Sequence, residues 1–269
     1  MSFLKRPIKE CAIYINEDHL CVISDLHLGN PAFNKKDYLR SFLKYIGRKG
    51  ASLCINGDGF DSLQSSAAKL AVDLQSAFKS IKEFLSQGTN KVYYVHGNHD
   101  LHWETHLAKS CLGAALPFLD VVSGDRRIHI EHGHRYDRRF QRFPRLHQQI
   151  ATILGKLLKI SPQFFHLFFH LEWWLYGVNK KAHGSESPHF DVPRNLTAAS
   201  DLFRKGFDIV ILAHSHRHGL HMMEDGKVFA NAGAWTSERM HYLEIKRGAI
   251  NLREWRGQGR FAAQAAPSF

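Results

Sequence analysis

The sequence predicts a layered α/β domain. Three observations carry that prediction. Short apolar runs alternate with helical periodicity through the first half of the chain. Most of these runs end in a cluster of Asp, His, Asn and Gly. The second half returns to short strand-like runs, the last two joined by a tight turn. At 269 residues, 44% of them hydrophobic, the chain can build one large domain around a sizeable core. A charged fraction of 23% is ordinary for a globular protein and excludes a disordered chain or a small disulfide-stapled fold.

Each element follows from its pattern. Leu20-Cys21-Val22-Ile23-Ser24 reads as a buried strand. A helix follows over Lys35 to Arg48, with Tyr38, Leu39, Phe42, Leu43 and Ile46 at helical spacing and Gly50 as the stop. Ala51 to Asn56 is a second strand ending at Gly57. Ala67 to Phe84 is a second helix, with Leu70, Leu74, Phe78 and Ile81 on one face. Lys91 to Val95 is a third strand running into His96-Gly97-Asn98-His99-Asp100, which completes β-α-β-α-β. Further strands are expected at Arg127 to Glu131, Asp208 to Leu212, Lys227 to Ala230, His241 to Lys246 and Ala249 to Glu254, with Lys246-Arg247-Gly248 as a turn.

Residues 138–188 break this rhythm. Ile150, Ile153, Leu154, Leu157 and Leu158 mark one helix, and Ser161-Pro162 suits the start of another. That second helix is almost entirely apolar, with Phe164, Phe165, Phe168, Phe169, Trp173 and Trp174 among its residues. We read a helical cap inserted into a single domain over residues 1–257, followed by a polar, small-residue, disordered tail over 258–269.

Compartment follows from what is missing. Cys11, Cys21, Cys54 and Cys111 form no CxxC pair, Met1 to Pro7 holds no apolar signal region, and no apolar run is long enough to span a bilayer. The expectation is a cytoplasmic protein with reduced thiols. A net charge of +11 and 19 His admit an anionic partner or a metal site.

The chemistry-bearing residues fall at strand ends. Asp25 and His27 follow the first strand, Asp58 and Asp61 the second, Asn98 and His99 the third, His132 the fourth, and His214 and His216 the fifth. Open α/β sheets bind ligands at the carboxyl ends of their strands. A set of Asp, His and Asn without Cys suits hard or borderline divalent ions such as Mn, Fe, Zn or Mg. Two such ions bridged by a carboxylate such as Asp58 can clamp an in-line displacement at phosphorus.

These motifs, Asp25-Leu-His27, Gly57-Asp58-Gly-Phe-Asp61, Gly97-Asn98-His99-Asp100, His132-Gly-His134 and His214-Ser-His216, resemble in order and spacing those of the calcineurin-like metallophosphoesterases, from about residue 20 to 235. The resemblance implies a four-layer α-β-β-α sandwich with a di-metal centre, Mn²⁺ first and Fe, Zn or Mg as alternatives. Asp25, His27, Asp58 and His216 would hold one ion, and Asp58, Asn98, His132 and His214 the other. His99 would act catalytically on the leaving oxygen, paired with Asp61. Ala213 departs from the usual Gly before His-x-His.

Within the family the chain is similar to the bacterial UDP-2,3-diacylglucosamine pyrophosphohydrolases of lipid A biosynthesis. The likeness rests on the insertion between the His132 and His214 motifs, the segment Asn179-Lys180-Lys181 after it, and Ala232-Gly233-Ala234-Trp235. It implies metal-hydroxide attack on the α-phosphate of a lipid-linked nucleotide, giving UMP and an acylated sugar 1-phosphate. Asn179, Lys180 and Lys181 would contact substrate. Arg135 and Arg217 suit phosphate by guanidinium geometry. The aromatic cap, with Arg138, Arg139, Arg142 and Arg145 nearby, suits acyl chains and peripheral contact with the inner face of the cytoplasmic membrane. No specific nucleic-acid partner is expected, since no basic stripe interleaved with aromatics is present. Two alternatives stay open: another phosphodiester or phosphomonoester (nucleotide, nucleic acid or phosphoprotein) as substrate, and a non-catalytic scaffold on this fold. His99 stands where many members of that branch carry Arg.

Overall fold

The computed structural model describes residues 14–30, 33–61, 67–99, 115–137, 193–257 and 261–263. The cap expected over 138–188 lies outside the described residues, and so do Asn179, Lys180 and Lys181. The chain builds two sheets. One has the order β13 (Phe261–Ala263), β12 (Ala249–Trp255), β11 (Met240–Lys246), β2 (His19–Ile23), β3 (Ser52–Asn56), β4 (Val92–Val95), β5 (Ala115–Leu116). The other has the order β1 (Tyr14–Asn16), β6 (Leu119–Ser123), β7 (Arg126–Ile130), β8 (Ile209–Leu212), β10 (Val228–Ala232), β9 (His218–Met222).

Period-2 alternation decides which layer each side chain enters. In β2, Leu20 and Val22 join Cys54, Val95, Leu243 and Ile245 on the face turned to the second sheet. They meet Ile128, Ile130, Ile209, Ile211, Val228 and Ala230 there. Cys21 and Ile23 point the other way, into a core shared with Leu53, Ile55 and the apolar stripes of α1 (Lys36–Arg48) and α2 (Ala67–Leu85). On the far side, Val210, Leu212 and Phe229 receive Ala199, Leu202 and Phe203 of α3 (Pro193–Arg204). Helices, sheet, sheet and helix are thus stacked as the four-layer sandwich expected. Cys21 and Cys54 are free and buried, as core thiols.

β2, β3, β4 and β5 are parallel, with α1 and α2 as the crossovers of the first two steps; β7, β8 and β10 are parallel in the second sheet. The carboxyl ends of β2, β3, β4, β7 and β8 therefore emerge together at one edge of the sandwich. Phe42 of α1 anchors the outer layer, with the rings of Tyr242, Trp235 and Trp255 at 4.9, 5.1 and 5.5 Å.

The structure corrects one expectation. Part of the tail is ordered strand: β13 pairs antiparallel with β12, Arg253 opposite Ala263 and Trp255 opposite Phe261. The outer edge of β12 offers a row of backbone groups, and the short Phe261-Ala-Ala263 run within the tail satisfies them. Helix α3 was also absent from the expected elements. Pro193 occupies its first position, as a fixed φ favours, and its buried face carries Ala198, Ala199, Leu202 and Phe203. Among the described residues no helix is long and apolar enough to cross a membrane.

Candidate metal centre

The ladder between β2 and β3 continues past their last strand residues. Asp25 N–H donates to Gly57 O at 3.1 Å, His27 N–H to Asp58 O at 2.9 Å and Leu28 N–H to Gly59 O at 2.9 Å. This carries Asp25, His27 and Asp58 to the same height. Gly97 brings the loop after β4 against them: a Cβ there would stand 2.0 Å from Asp58 Oδ1 and 2.4 Å from Asp58 N. His132, after β7, comes in over Gly57, where φ is +79 and a Cβ would stand 2.3 Å from the His132 Nδ1. Only glycine permits both approaches.

Backbone conformation marks the same residues. Asp25, His27, Asp58, His214 and His216 have φ of 52°, 48°, 50°, 66° and 57°. Left-handed backbone is uncommon outside glycine and clusters at functional sites. Asp and His tolerate it better than branched residues, which fits the residue types found. Ala213 is not among them, so the departure from Gly at that position costs no backbone strain.

The side chains converge. Asp58 Oδ2 lies 3.3 Å from His132 Nε2 and 3.9 Å from His27 Nε2, while Oδ1 accepts His99 N–H at 2.9 Å. Asp25 Oδ1 lies 3.1 Å from His216 Nε2 and 3.8 Å from His27 Nε2. Asp61 reaches two rings, His99 Nδ1 at 3.3 Å and His27 Nδ1 at 3.4 Å, and is itself held by Asn30 Nδ2 at 2.8 Å. Asp25, His27 and His216 form one group able to hold an ion, and Asp58, His132 and His214 another. Asn98 adds a buried Oδ1.

These groups fit cations. Both oxygens of Asp25, Nε2 of His27 and of His132, and Oδ1 of Asn98 are buried and make no hydrogen bond. Native proteins rarely leave such atoms unsatisfied without a functional reason. Two rings are turned with a nitrogen toward the cleft. His132 Nδ1–H is 2.9 Å from Asn56 O, which leaves the Nε2 lone pair free. His214 Nε2 lies 3.4 Å from Asp137 Oδ2, which leaves its Nδ1. The electrostatics agree. Burial alone would lower the pKa of His132, but Asp58 and Asp25 raise it to about 9. Burial likewise opposes charge on His27 and His99, and the neighbouring Asp carboxylates still raise both. The carboxylate field that raises these rings also attracts divalent cations, which would take the place of the proton at His132 Nε2, while burial lowers the pKa of His214. His134 behaves oppositely: burial and the adjacent His132 lower it to about 3, so it is a neutral ring beside the cluster.

Of the predicted site residues, Asp25, His27, Asp58, Asp61, His99, His132, His214 and His216 share this cluster. Arg135 is not a bare surface charge; its guanidinium pairs with Glu131 and donates to Tyr136 Oη at 3.0 Å. Arg217 is half-buried next to His216. His218 stacks on His241 with centroids 3.6 Å apart. Sequence reasoning missed Asn56, Asp137 and Asn231, which meet Glu131, His214 and Ala213 across 75, 77 and 18 residues, and Glu131, whose side chain meets Arg135 and Tyr136 close by in the chain. A polar residue at a strand's carboxyl end was the available signal for Asn56 and Asn231.

A family model for calcineurin-like phosphoesterases matches residues 19–218. The chain belongs to that family. Membership makes this phosphoesterase a metal-dependent phosphoester hydrolase. It is 26% identical over 219 residues to the UDP-2,3-diacylglucosamine hydrolase of Blochmanniella pennsylvanica (strain BPEN), covering 76% of this chain and 82% of that one. Among solved structures it is similar to Vacuolar Protein Sorting 29 from Cryptosporidium parvum, at 14% identity and a TM-score of 0.48, covering 91% and 95% of the two chains. It is also similar to an archaeal phosphodiesterase, at 12% identity and a TM-score of 0.47, covering 88% and 99%.

Gly97→Ala tests the close packing of this phosphoesterase's loops. The added methyl meets Asp58 backbone, which cannot yield as a flexible side chain would. The expected result is a fall of about 100-fold in phosphodiesterase rate, the scale of a 1 Å misplacement. A wild-type rate would show that the loop accommodates the methyl without moving Asp58.

Proposed function

We propose that the chain hydrolyses the pyrophosphate of UDP-2,3-diacylglucosamine or a similar lipid-linked nucleotide, releasing UMP and an acylated sugar 1-phosphate. The observation that carries the chemistry is Asp58, whose Oδ2 lies between His27 Nε2 and His132 Nε2, both buried and without a hydrogen bond. Asp25, His27, Asp58 and His216 would hold one divalent ion, and Asp58, Asn98, His132 and His214 the other, with Mn²⁺ as the first candidate. The chemistry supplied by such cations is neutralisation of the phosphate and acidification of an attacking water.

The chain's own groups do the rest. His99, beside Asp58 and 3.3 Å from Asp61, holds a proton for the leaving oxygen, and Asp61 fixes its ring. Arg135, Arg217, Asn179, Lys180 and Lys181 serve the phosphates and the nucleotide-sugar. Support for the lipid-linked substrate is the relative named UDP-2,3-diacylglucosamine hydrolase. The aromatic segment over 138–188 adds to it, as acyl chains need an apolar slot beside a polar phosphate site. On this reading that segment rests on the inner face of the cytoplasmic membrane. His99, where that branch commonly has Arg, favours a second reading, a phosphodiesterase with another nucleotide-type substrate.

The test offers Mn²⁺-loaded protein UDP-2,3-diacylglucosamine and, separately, bis-p-nitrophenyl phosphate. Release of UMP from the first is expected. Turnover of the generic ester alone would replace the lipid-linked assignment with the second reading.

A further inference from the structure

Asn231 lies at the carboxyl end of β10 with no exposed surface, and its amide spans two loops. Nδ2 donates to Ala213 O at 3.3 Å and to Ser215 Oγ at 3.1 Å, and Oδ1 accepts Gly233 N–H at 2.9 Å. The neighbours dictate the amide's orientation: a carbonyl requires a donor opposite it, and an N–H requires an acceptor.

The first loop is strained. Ser215 N–H donates to Ala213 O at 2.7 Å, closing a three-residue turn around His214, whose φ is 66°. A γ-turn with a positive central φ is the rare, high-energy form. His216, two residues on, has φ of 57°. The conformation that aims both imidazoles into the cleft is thus not one the loop adopts unaided, and Asn231 braces it at Ala213 and Ser215. The second loop reaches the other sheet. Gly233 O accepts Ser24 Oγ–H at 2.5 Å, and Trp235 N–H lies 3.3 Å from Ser24 O and 3.2 Å from Asp25 O. A continuous bonded path therefore runs from the His214 turn, through Asn231 and Gly233, to the backbone of Asp25.

We propose that Asn231 is a positioning residue that sets the His214-Ser-His216 turn of one sheet against Asp25 of the other, and so determines the affinity of the cleft for divalent cations. The inference rests on the cation-binding reading of the cleft. Asn231→Asp keeps the side-chain shape and the acceptor and deletes both donated bonds. The full chain, stripped of metal, is titrated with Mn²⁺ by calorimetry, and the visible spectrum of its Co²⁺ form is recorded, at a temperature where thermal unfolding shows the metal-free variant folded. Mn²⁺ binding at least about 10-fold weaker than wild type is expected, the lower range for losing an outer partner of metal ligands, with a shifted Co²⁺ band. Ser215→Ala removes one arm of the brace, with an expected loss of about 5-fold, the scale of one hydrogen bond; it decides the matter alone if Asn231→Asp does not fold. Wild-type affinity and spectrum in the folded variants would overturn the role of Asn231 and leave the cation site standing. Absence of Mn²⁺ binding by the wild-type chain would overturn both.

Discussion

Asp58→Asn is expected to lower kcat/KM for a phosphodiester by at least about 1000-fold and to weaken Mn²⁺ binding in calorimetry, with the fold retained. Asn copies the shape of Asp and accepts left-handed backbone, so the φ of 50° at this position remains available. What it lacks is charge. Asp58 is buried and approached by two histidine rings and a backbone N–H, and the charges of His132 and His99 hold its carboxyl well below the usual carboxylate range. On the proposed reading Asp58 would be shared by two cations, and a neutral amide cannot replace its charge there. Several kcal/mol of charge stabilisation is at stake, and about 1.4 kcal/mol corresponds to tenfold in rate. A variant within tenfold of wild type would show that Asp58 is a structural acid and not a shared ligand.

His99→Ala is expected to separate chemistry from binding. Its contact with Asp58 runs through the backbone N–H, which alanine keeps. Mn²⁺ affinity should therefore stay near wild type while kcat falls by about 10²–10⁴-fold, the range for losing a general acid. The loss should shrink with bis-p-nitrophenyl phosphate, because p-nitrophenolate departs readily without a proton. Equal losses on an alkoxide-leaving and a nitrophenolate-leaving substrate would assign His99 to phosphate binding instead. Loss of Mn²⁺ binding would make it a ligand.

Much of this protein is legible in its sequence, for reasons that particular residues make clear. β8 is the run Ile209-Val-Ile-Leu212, buried on both faces, and a continuous apolar run is what a parallel inner strand produces. α1 shows its stripe because Leu39, Phe42, Leu43 and Ile46 all face one core. The strand-end motifs are legible because parallel strands deliver their carboxyl ends to one edge, so sequence order translates directly into proximity. The partners of the braces are not legible. Asn56 meets Glu131 and His132 across 75 and 76 residues of chain, and Asn231 meets Ala213 across 18. These pairings depend on which strand lies beside which, and no local pattern encodes that. β13 escaped for a related reason, since an edge strand borrows its stability from the strand it joins. Asp61 was partly legible: its place beside His99 follows from the motif, but its approach to His27 required the Leu28–Phe60 bridge that sets its height.

The left-handed backbone at Asp25, His27, Asp58, His214 and His216 bears on how this chain would respond to selection. Each such residue costs on the order of 1 kcal/mol relative to glycine, so the five together weigh about as much as the lower end of a domain's entire folding stability, about 5 kcal/mol. Glycine at any of them would relax the metal-free fold while deleting a cleft side chain. Laboratory evolution for heat resistance alone would therefore drift toward inert, glycine-edged variants, and engineering of this enzyme must screen catalysis alongside melting temperature.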